Sequence, residues 1–237
     1  MGGITFKGHY TLLDWRTGDV NGDGVADTVY LYGQVDGSPG IFADHIILVI
    51  QDGRTFKSTT VQFKNNAGYN ARLFLGDFNK DSILDIMVSI DTGGSGGYGI
   101  FYIYSFKDNR LHQLFDVDDY NDKHIFQAHY EDFYKVRVES SQLNASFIID
   151  ISNKDPDYLS QYYDKQGLLK QPVQGGVLAL GALYPIVTTN KNNYYDLLAS
   201  QRIIGTVNAD TLGVVENLLT WEDGRFISNR LSVATSL

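Results

Sequence analysis

The segments GDVNGDGVADTVY (18–30) and GDFNKDSILDIMV (76–88) superimpose residue for residue. Asp19, Asn21, Asp23 and Asp27 of the first match Asp77, Asn79, Asp81 and Asp85 of the second, 58 residues further on, and each set runs into a stretch of β-branched and apolar residues. An oxygen-bearing side chain at every second position, a last one four residues later and then a strand is one supersecondary unit used twice. Thr188, Asn190, Asn192 and Asp196 keep the same 1-3-5-9 spacing in TTNKNNYYDLLAS, 111 residues after the second copy and close to twice the first interval. The copy missing from that series falls near residue 132, where YEDFYKVRVES supplies the strand without the acidic turn. Four units of roughly 50–60 residues then fill the chain, a period that belongs to propellers and solenoids.

A second repeat runs alongside the first. VIQDGRTF (49–56), SFKDNRLH (105–112) and TWEDGRFI (220–227) each lead a strand into Asp-Gly or Asp-Asn, an Arg and another strand. Asp-Gly supplies the positive φ angles of a tight hairpin. Between these markers lie short apolar runs bounded by Gly, Asp or Asn: TVYLYG (28–33), HIILVI (45–50), ARLFLG (71–76), DIMVSI (85–90), IFYIYSF (100–106) and SFIIDIS (146–152). Such runs read as strands. Sixteen Tyr, thirteen Phe and 24 Gly beside four Pro fit many short strands joined by turns. Only PDYLSQYYDKQ (156–166), with Pro after Asp155, reads as a helix. The expectation is one all-β domain over 1–237: a small β-propeller of about four repeats of four-stranded antiparallel blades. The repeats divide approximately as 10–70, 71–127, 128–183 and 184–237, with blades beginning near Thr28, Ile86, Lys135 and Leu197. RFISNRLSV (225–233) is expected to pair with the N-terminal segment and close the ring, since an open strand edge invites association.

Carboxylates so close together repel unless a positive charge lies among them. In D-x-N-x-D-G-x-x-D the side chains at 1, 3, 5 and 9 and a backbone carbonyl at 7 offer hard oxygens around one centre, as Ca²⁺ requires with its six to eight ligands at about 2.3–2.6 Å. The candidate ligands are Asp19, Asn21, Asp23, Val25 and Asp27 in the first loop and Asp77, Asn79, Asp81, Ile83 and Asp85 in the second. Mg²⁺, which keeps more of its waters, fits less well. An EF-hand needs Glu at position 12, where Tyr30 and Val88 stand, and a helix where strands follow. One such loop alone is also what a solvated Asx turn looks like; two full copies and an eroded third, each before a strand, favour the cage. Gly24 at position 6 bends without strain whereas Ser82 does not, and Lys80 stands where the first loop has Gly22. The first loop is therefore expected to hold Ca²⁺ more tightly than the second, with Thr188–Asp196 empty because Asp196 is its only carboxylate.

With these residues in view, GDVNGDGVADTVYLYG and GDFNKDSILDIMVSI resemble the FG-GAP/VCBS-type repeats of integrin-like β-propellers, and the chain as a whole is similar to VCBS-repeat proteins of Gram-positive spore formers. The resemblance is specific over 18–33 and 76–91 and weak over 184–200, and the FG-GAP label motif itself is missing. It implies blades whose acidic loop joins two strands and binds Ca²⁺; it implies no activity.

Other constellations carry less. Gly93-Gly94-Ser95-Gly96-Gly97 matches G-x-S-x-G in form, but a nucleophile elbow needs a helix after it and YGIFYIYSF is a strand. His9, His45, His112, His124 and His129 show no metal spacing. His124 and His129 lie near Asp118, Asp119 and Asp122, where a transition-metal or acid–base cluster could form but solvated loop residues are the plainer reading. Asp118, Asp119, Glu131 and Asp132 are paired-carboxylate candidates for glycoside hydrolysis by type only. The net charge of −9 argues against a nucleic-acid partner. Cysteine is absent, which excludes disulfides and thiolate metal sites. No apolar run of the length a membrane span needs appears, and the N-terminus as given shows no secretion signal. The expected function is a Ca²⁺-stabilised, non-enzymatic binding or scaffold module with a protein or glycan ligand, at the cell surface, spore or extracellular face. The alternative is a polysaccharide-acting enzyme or lectin using the rim loops.

Overall fold

The computed structural model describes residues 9–35, 42–189 and 193–235. Apart from two seven-residue helices and one 3₁₀ turn, these residues form strands and turns, in four antiparallel sheets. The first is a meander, β1 (Thr11–Gly18), β2 (Asp27–Gln34), β3 (Asp44–Gln51) and β4 (Ser58–Gln62), in that spatial order. The second repeats it with β5 (Tyr69–Gly76), β6 (Asp85–Asp91), β7 (Gly99–Ser105) and β8 (His112–Asp116). The third has the order β11 (Ala145–Asp150), β10 (Lys135–Ser140), β9 (Gln127–Glu131), and the last runs β12 (Gly176–Ile186), β13 (Asp196–Ile204), β14 (Thr211–Glu222), β15 (Arg225–Thr235).

The expected repeat starts Thr28, Ile86, Lys135 and Leu197 fall at or one residue inside β2, β6, β10 and β13. These are second strands, however. The acidic loops lie between the first and second strands of sheets one, two and four, and the DG- or DN-Arg hairpins between the third and fourth. The third sheet departs from the expected four strands. Its place beside β9 is taken by a short segment, with the Tyr130 amide donating to the Val173 carbonyl at 3.0 Å and the Gly175 amide to Ala128 at 2.9 Å. Its β9–β10 turn places both Phe133 and Tyr134 at φ +61°, a tight reversal with no room for an acidic loop. Residues 225–235 form β15, bonded to β14; of the partner expected for 225–233, residues 1–8 lie outside the described ones.

The chain resolves into two compact units. One holds the residues up to Val117 with Pro185–Leu197 and Thr220–Ile227; the other holds Asp118–Tyr184, Leu198–Leu219 and the chain from Ser228. In the first, β6 and β7 are buried at nearly every position, Ile86, Val88, Ile90, Phe101 and Ile103 among them, as central strands covered on both faces should be. β2 alternates instead, with Val29 and Leu31 inward. The second unit packs Val136 and Val138 of β10 with Ala128, Ile149, Ile151, Ile203, Leu212 and Val215.

The helix expected over 156–166 is α2 (Pro156–Tyr162). Asp155 caps it by accepting from the Asp157 amide at 2.8 Å, Pro156 opens it, and Tyr163 turns extended. A second helix, α1 (Val117–Lys123), carries Asp118 and Asp119 in its first turn and Lys123 in its last, which suits the helix dipole but leaves no apolar period to read. No helix among the described residues is long and apolar enough to cross a membrane.

Candidate functional site

The two acidic loops fold alike because the side chains at positions 1, 3 and 5 each accept amides of the turn they make. In the first, Asp19 accepts the amides of Gly22 (2.7 Å) and Gly24 (2.8 Å), Asn21 Oδ1 that of Asp23 (2.9 Å), and Asp23 Oδ1 that of Val25 (2.8 Å). In the second, Asp77 accepts the amides of Lys80 and Ser82, Asn79 Oδ1 that of Asp81, and Asp81 Oδ1 that of Ile83. The ninth position is the anchor. Asp27 is 1% exposed, and its Oδ2 gathers the amides of Val20 and Asn21; Asp85 is 0% exposed, and its Oδ2 gathers those of Phe78 and Asn79. Burial pushes the Asp85 carboxyl up to about 7 against the pull of the Phe78 amide.

The hairpins dock on these loops, a link that reading the two repeats separately does not reveal. The Gly53 amide donates to Asp27 Oδ1 at 2.9 Å, so close that a Cβ on Gly53 would meet the Ala26 carbonyl oxygen at 2.0 Å. Arg54 Nε lies 2.7 Å from Asp23 Oδ2. In the second sheet Lys107 Nζ lies 3.1 Å from Asp81 Oδ2, and Ser105 bonds Asp85. A cationic side chain from the third-to-fourth-strand hairpin thus sits on the fifth-position carboxylate in both copies. The two assemblies also touch: the Asp108 amide donates to the Asn21 carbonyl at 3.0 Å, and Leu84 to Asp19 at 3.4 Å. Gly22 and Gly24 stand at φ +82°, and the matching Lys80 and Ser82 at +65° and +67°, so the second loop carries the left-handed strain expected at position 6 and more at position 4. The charge of Lys80 is not aimed at the cage; its Nζ lies 4.9 Å from the Tyr194 ring centre.

The third loop joins β12 to β13. Asn190 and Asn192 lie outside the described residues. Asp196 is buried like Asp27 and Asp85, accepts from Thr188 Oγ1, and its Oδ1 has no hydrogen-bond partner among the described residues.

As oxygen donors, the two full loops have the chemistry of a hard-cation site. In the conformation described, their carboxylates are turned onto amides, Arg54 and Lys107, and among the described residues no three His, Asp or Glu side chains converge at metal-ligand spacing. The other sequence candidates stay apart. Gly93–Gly97 lies in the β6–β7 connection and is followed by a strand, as expected. His45 pairs with Asp44 at 3.0 Å, and His129 lies 3.9 Å from Glu139. Glu131 is held by Arg137 (2.5 and 3.2 Å), and Asp132 accepts the Leu169 amide at 2.9 Å. His124 stacks on Tyr120 with ring centres 4.0 Å apart, Nδ1 on the Tyr120 carbonyl and Nε2 3.3 Å from Ser228 Oγ.

Residues 124–234 match the family model described as the YybI C-terminal domain. Over 217 residues the chain is 44% identical to a Bacillus subtilis (strain 168) protein named "Uncharacterized protein YybI", covering 91% of this chain and 82% of that relative. No solved structure matches the chain.

Proposed function

The chain belongs to the YybI family, and from that premise we propose that it is a Ca²⁺-stabilised, non-enzymatic binding or scaffold module. Its architecture on this reading is a single four-bladed β-propeller of the FG-GAP/VCBS type, working at the cell surface, spore or extracellular face. One observation carries the reading: the same assembly of acidic loop and docked hairpin recurs at the same place in two successive four-stranded meanders. Asp19, Asn21, Asp23, Asp27 and the Val25 carbonyl would hold one ion, and Asp77, Asn79, Asp81, Asp85 and the Ile83 carbonyl a second. An oxygen that accepts an amide keeps a lone pair for a cation, and Arg54 and Lys107 are half exposed, free to give up the fifth-position carboxylates. The ion's part is to neutralise the loops and hold the hairpins. The non-enzymatic reading is supported by the engagement of Glu131 and Asp132 in structural bonds.

Isothermal titration with Ca²⁺ after EGTA treatment, paired with thermal melts, tests this. Ligand at a hundredfold excess over Kd adds about 2.7 kcal/mol, so the melting temperature should climb several degrees, and less in Asp23→Ala. Absence of binding heat together with superimposable melts in Ca²⁺ and EGTA would sink it.

A second reading, a lectin or polysaccharide-acting protein, is favoured by a specific feature of the second unit: a cleft of about 460 Å³ lined by Gln127, Glu139, Gln142, Asn144 and serines, side chains suited to hydroxyl groups.

A further inference from the structure

The second unit has another cleft, of about 600 Å³, formed where α2 packs beside the start of β10 and the turn that follows the helix. Its polar lining includes Lys154, Lys165 and Lys170, and its one carboxylate is Asp164. In a chain with 28 acidic and 19 basic residues this is a local reversal of sign. The single acid is already used: Asp164 Oδ1 accepts the amides of Gln166 and Leu168, both at 2.9 Å, which fixes the turn.

The lysines are held to different degrees. Lys154 Nζ lies 3.4 Å from Asp210 Oδ1 and 5.5 Å from the Tyr158 ring centre. Lys170 donates to the Ser160 carbonyl across the cleft, which positions its ammonium and leaves two further N–H donors. Lys165 has no partner among the described residues. The rest of the wall is Ser152 and Ser160 together with an apolar part, Leu159, Pro156 and Tyr134, the last edge-on to Tyr163 with ring centres 4.8 Å apart.

We infer that this cleft binds an anionic saccharide, its carboxylate or phosphate on Lys165 and Lys170 and its C–H face on Leu159 and Tyr134. The volume is that of a small-ligand site. A polyanionic nucleic acid fits poorly, because the rest of the chain carries the opposite of the charge it needs. The inference rests on the binding-module reading and names a ligand class for it, through residues remote in sequence from the acidic loops.

The test is titration calorimetry of the full chain, in Ca²⁺ and again in EGTA, with trigalacturonate, mannose 6-phosphate and neutral maltotriose. At least one anionic sugar should bind and the neutral one should not; which of the two binds better tells carboxylate from phosphate as the source. Affinity should fall as salt is raised. Lys165→Gln/Lys170→Gln should weaken binding at least tenfold, and Lys165→Glu alone several-fold, with melting temperatures at the wild-type value. Absence of binding by either anionic sugar, equal binding of maltotriose, or undiminished binding by both variants would overturn the inference. Sugar binding that persists where Ca²⁺ produces no heat rejects the metal reading and leaves this one standing; a Ca²⁺ response without sugar binding does the reverse.

Discussion

Arg54 grips Asp23 twice, through Nε to the carboxylate Oδ2 and through Nη2 to the main-chain carbonyl oxygen, each at 2.7 Å. The first contact neutralises the fifth position of the acidic loop, and the second ties the β3–β4 hairpin to the loop's backbone. Lys107 makes the same charge contact with Asp81 but only at a single oxygen.

Replacing Arg54 by Gln should therefore cost stability chiefly when no ion is bound. The pair is half exposed, so its loss is expected to cost about 0.5–1 kcal/mol, or about 1–4 °C in melting temperature for a chain of this size. In EGTA the calorimetric melt should show that drop. In Ca²⁺ the drop should shrink, and the Ca²⁺ affinity of the variant should exceed that of the wild type, because the competing guanidinium is gone. An affinity equal to or below the wild type would contradict the competition.

The strain in the second loop is measurable on its own. Ser82 sits at φ +67° where Gly24 sits at +82°. Ser82→Gly should raise stability by about 1 kcal/mol. Gly24→Ala should lower it by a similar amount through backbone strain, since a Cβ there would meet no atom within 4 Å. Urea unfolding of both variants gives the two numbers; the same sign for both changes would refute the account.

α2 is held to the second unit by a short hydrogen-bonded chain: Tyr130 Oη to Tyr158 Oη at 2.6 Å, and Tyr158 Oη to Asp210 Oδ2 at 2.5 Å. Burial and Asp210 push the Tyr158 phenol far above its ordinary value, so it stays the donor. Tyr158→Phe removes a bond to a carboxylate and should cost about 1.5–3 kcal/mol. Hydrogen exchange should speed up in α2 before it does in β10; uniform loss across the unit would point to a global effect instead.

His124 gives the second unit a pH dependence. Burial lowers its pKa, assisted by Lys123 and opposed by the Tyr120 carbonyl. An unfolded histidine titrates near 6.5, so below that value the unfolded chain takes up the proton first. The contribution is present above pH of about 6.5 and is lost as pH falls through the lower folded value. Urea midpoints between pH 7.5 and 5 should fall more steeply for the wild type than for His124→Gln; parallel slopes would exclude His124 as the cause.

Local chemistry made much of this protein readable from its sequence. The oxygens at positions 1, 3 and 5 define their own turns by accepting amides two, three and five residues on, and the carboxylate at position 9 accepts amides six and seven residues back, so both loops appear where the spacing puts them. Period-two runs between Gly, Asp and Asn are strands, and Asp155-Pro156 starts a helix because capping needs only adjacent residues. The Asp223-Gly224 hairpin turns at positive φ as its dipeptide dictates, whereas at Asp52-Gly53 the left-handed residue is Phe56 and Asp52 caps a longer loop through the Arg54 and Thr55 amides. Tertiary structure decided what lies across the sheets. That Arg54 reaches Asp23, 31 residues away, and Lys107 reaches Asp81 depends on strands of matched length bringing hairpin and loop to one end of a meander. Composition counted lysines without showing that Lys154, Lys165 and Lys170 share a cleft, because only the packing of α2 against β10 brings them together. Spacing along the chain encodes hydrogen bonds within one turn; contacts between turns depend on sheet register and packing, which no short stretch contains.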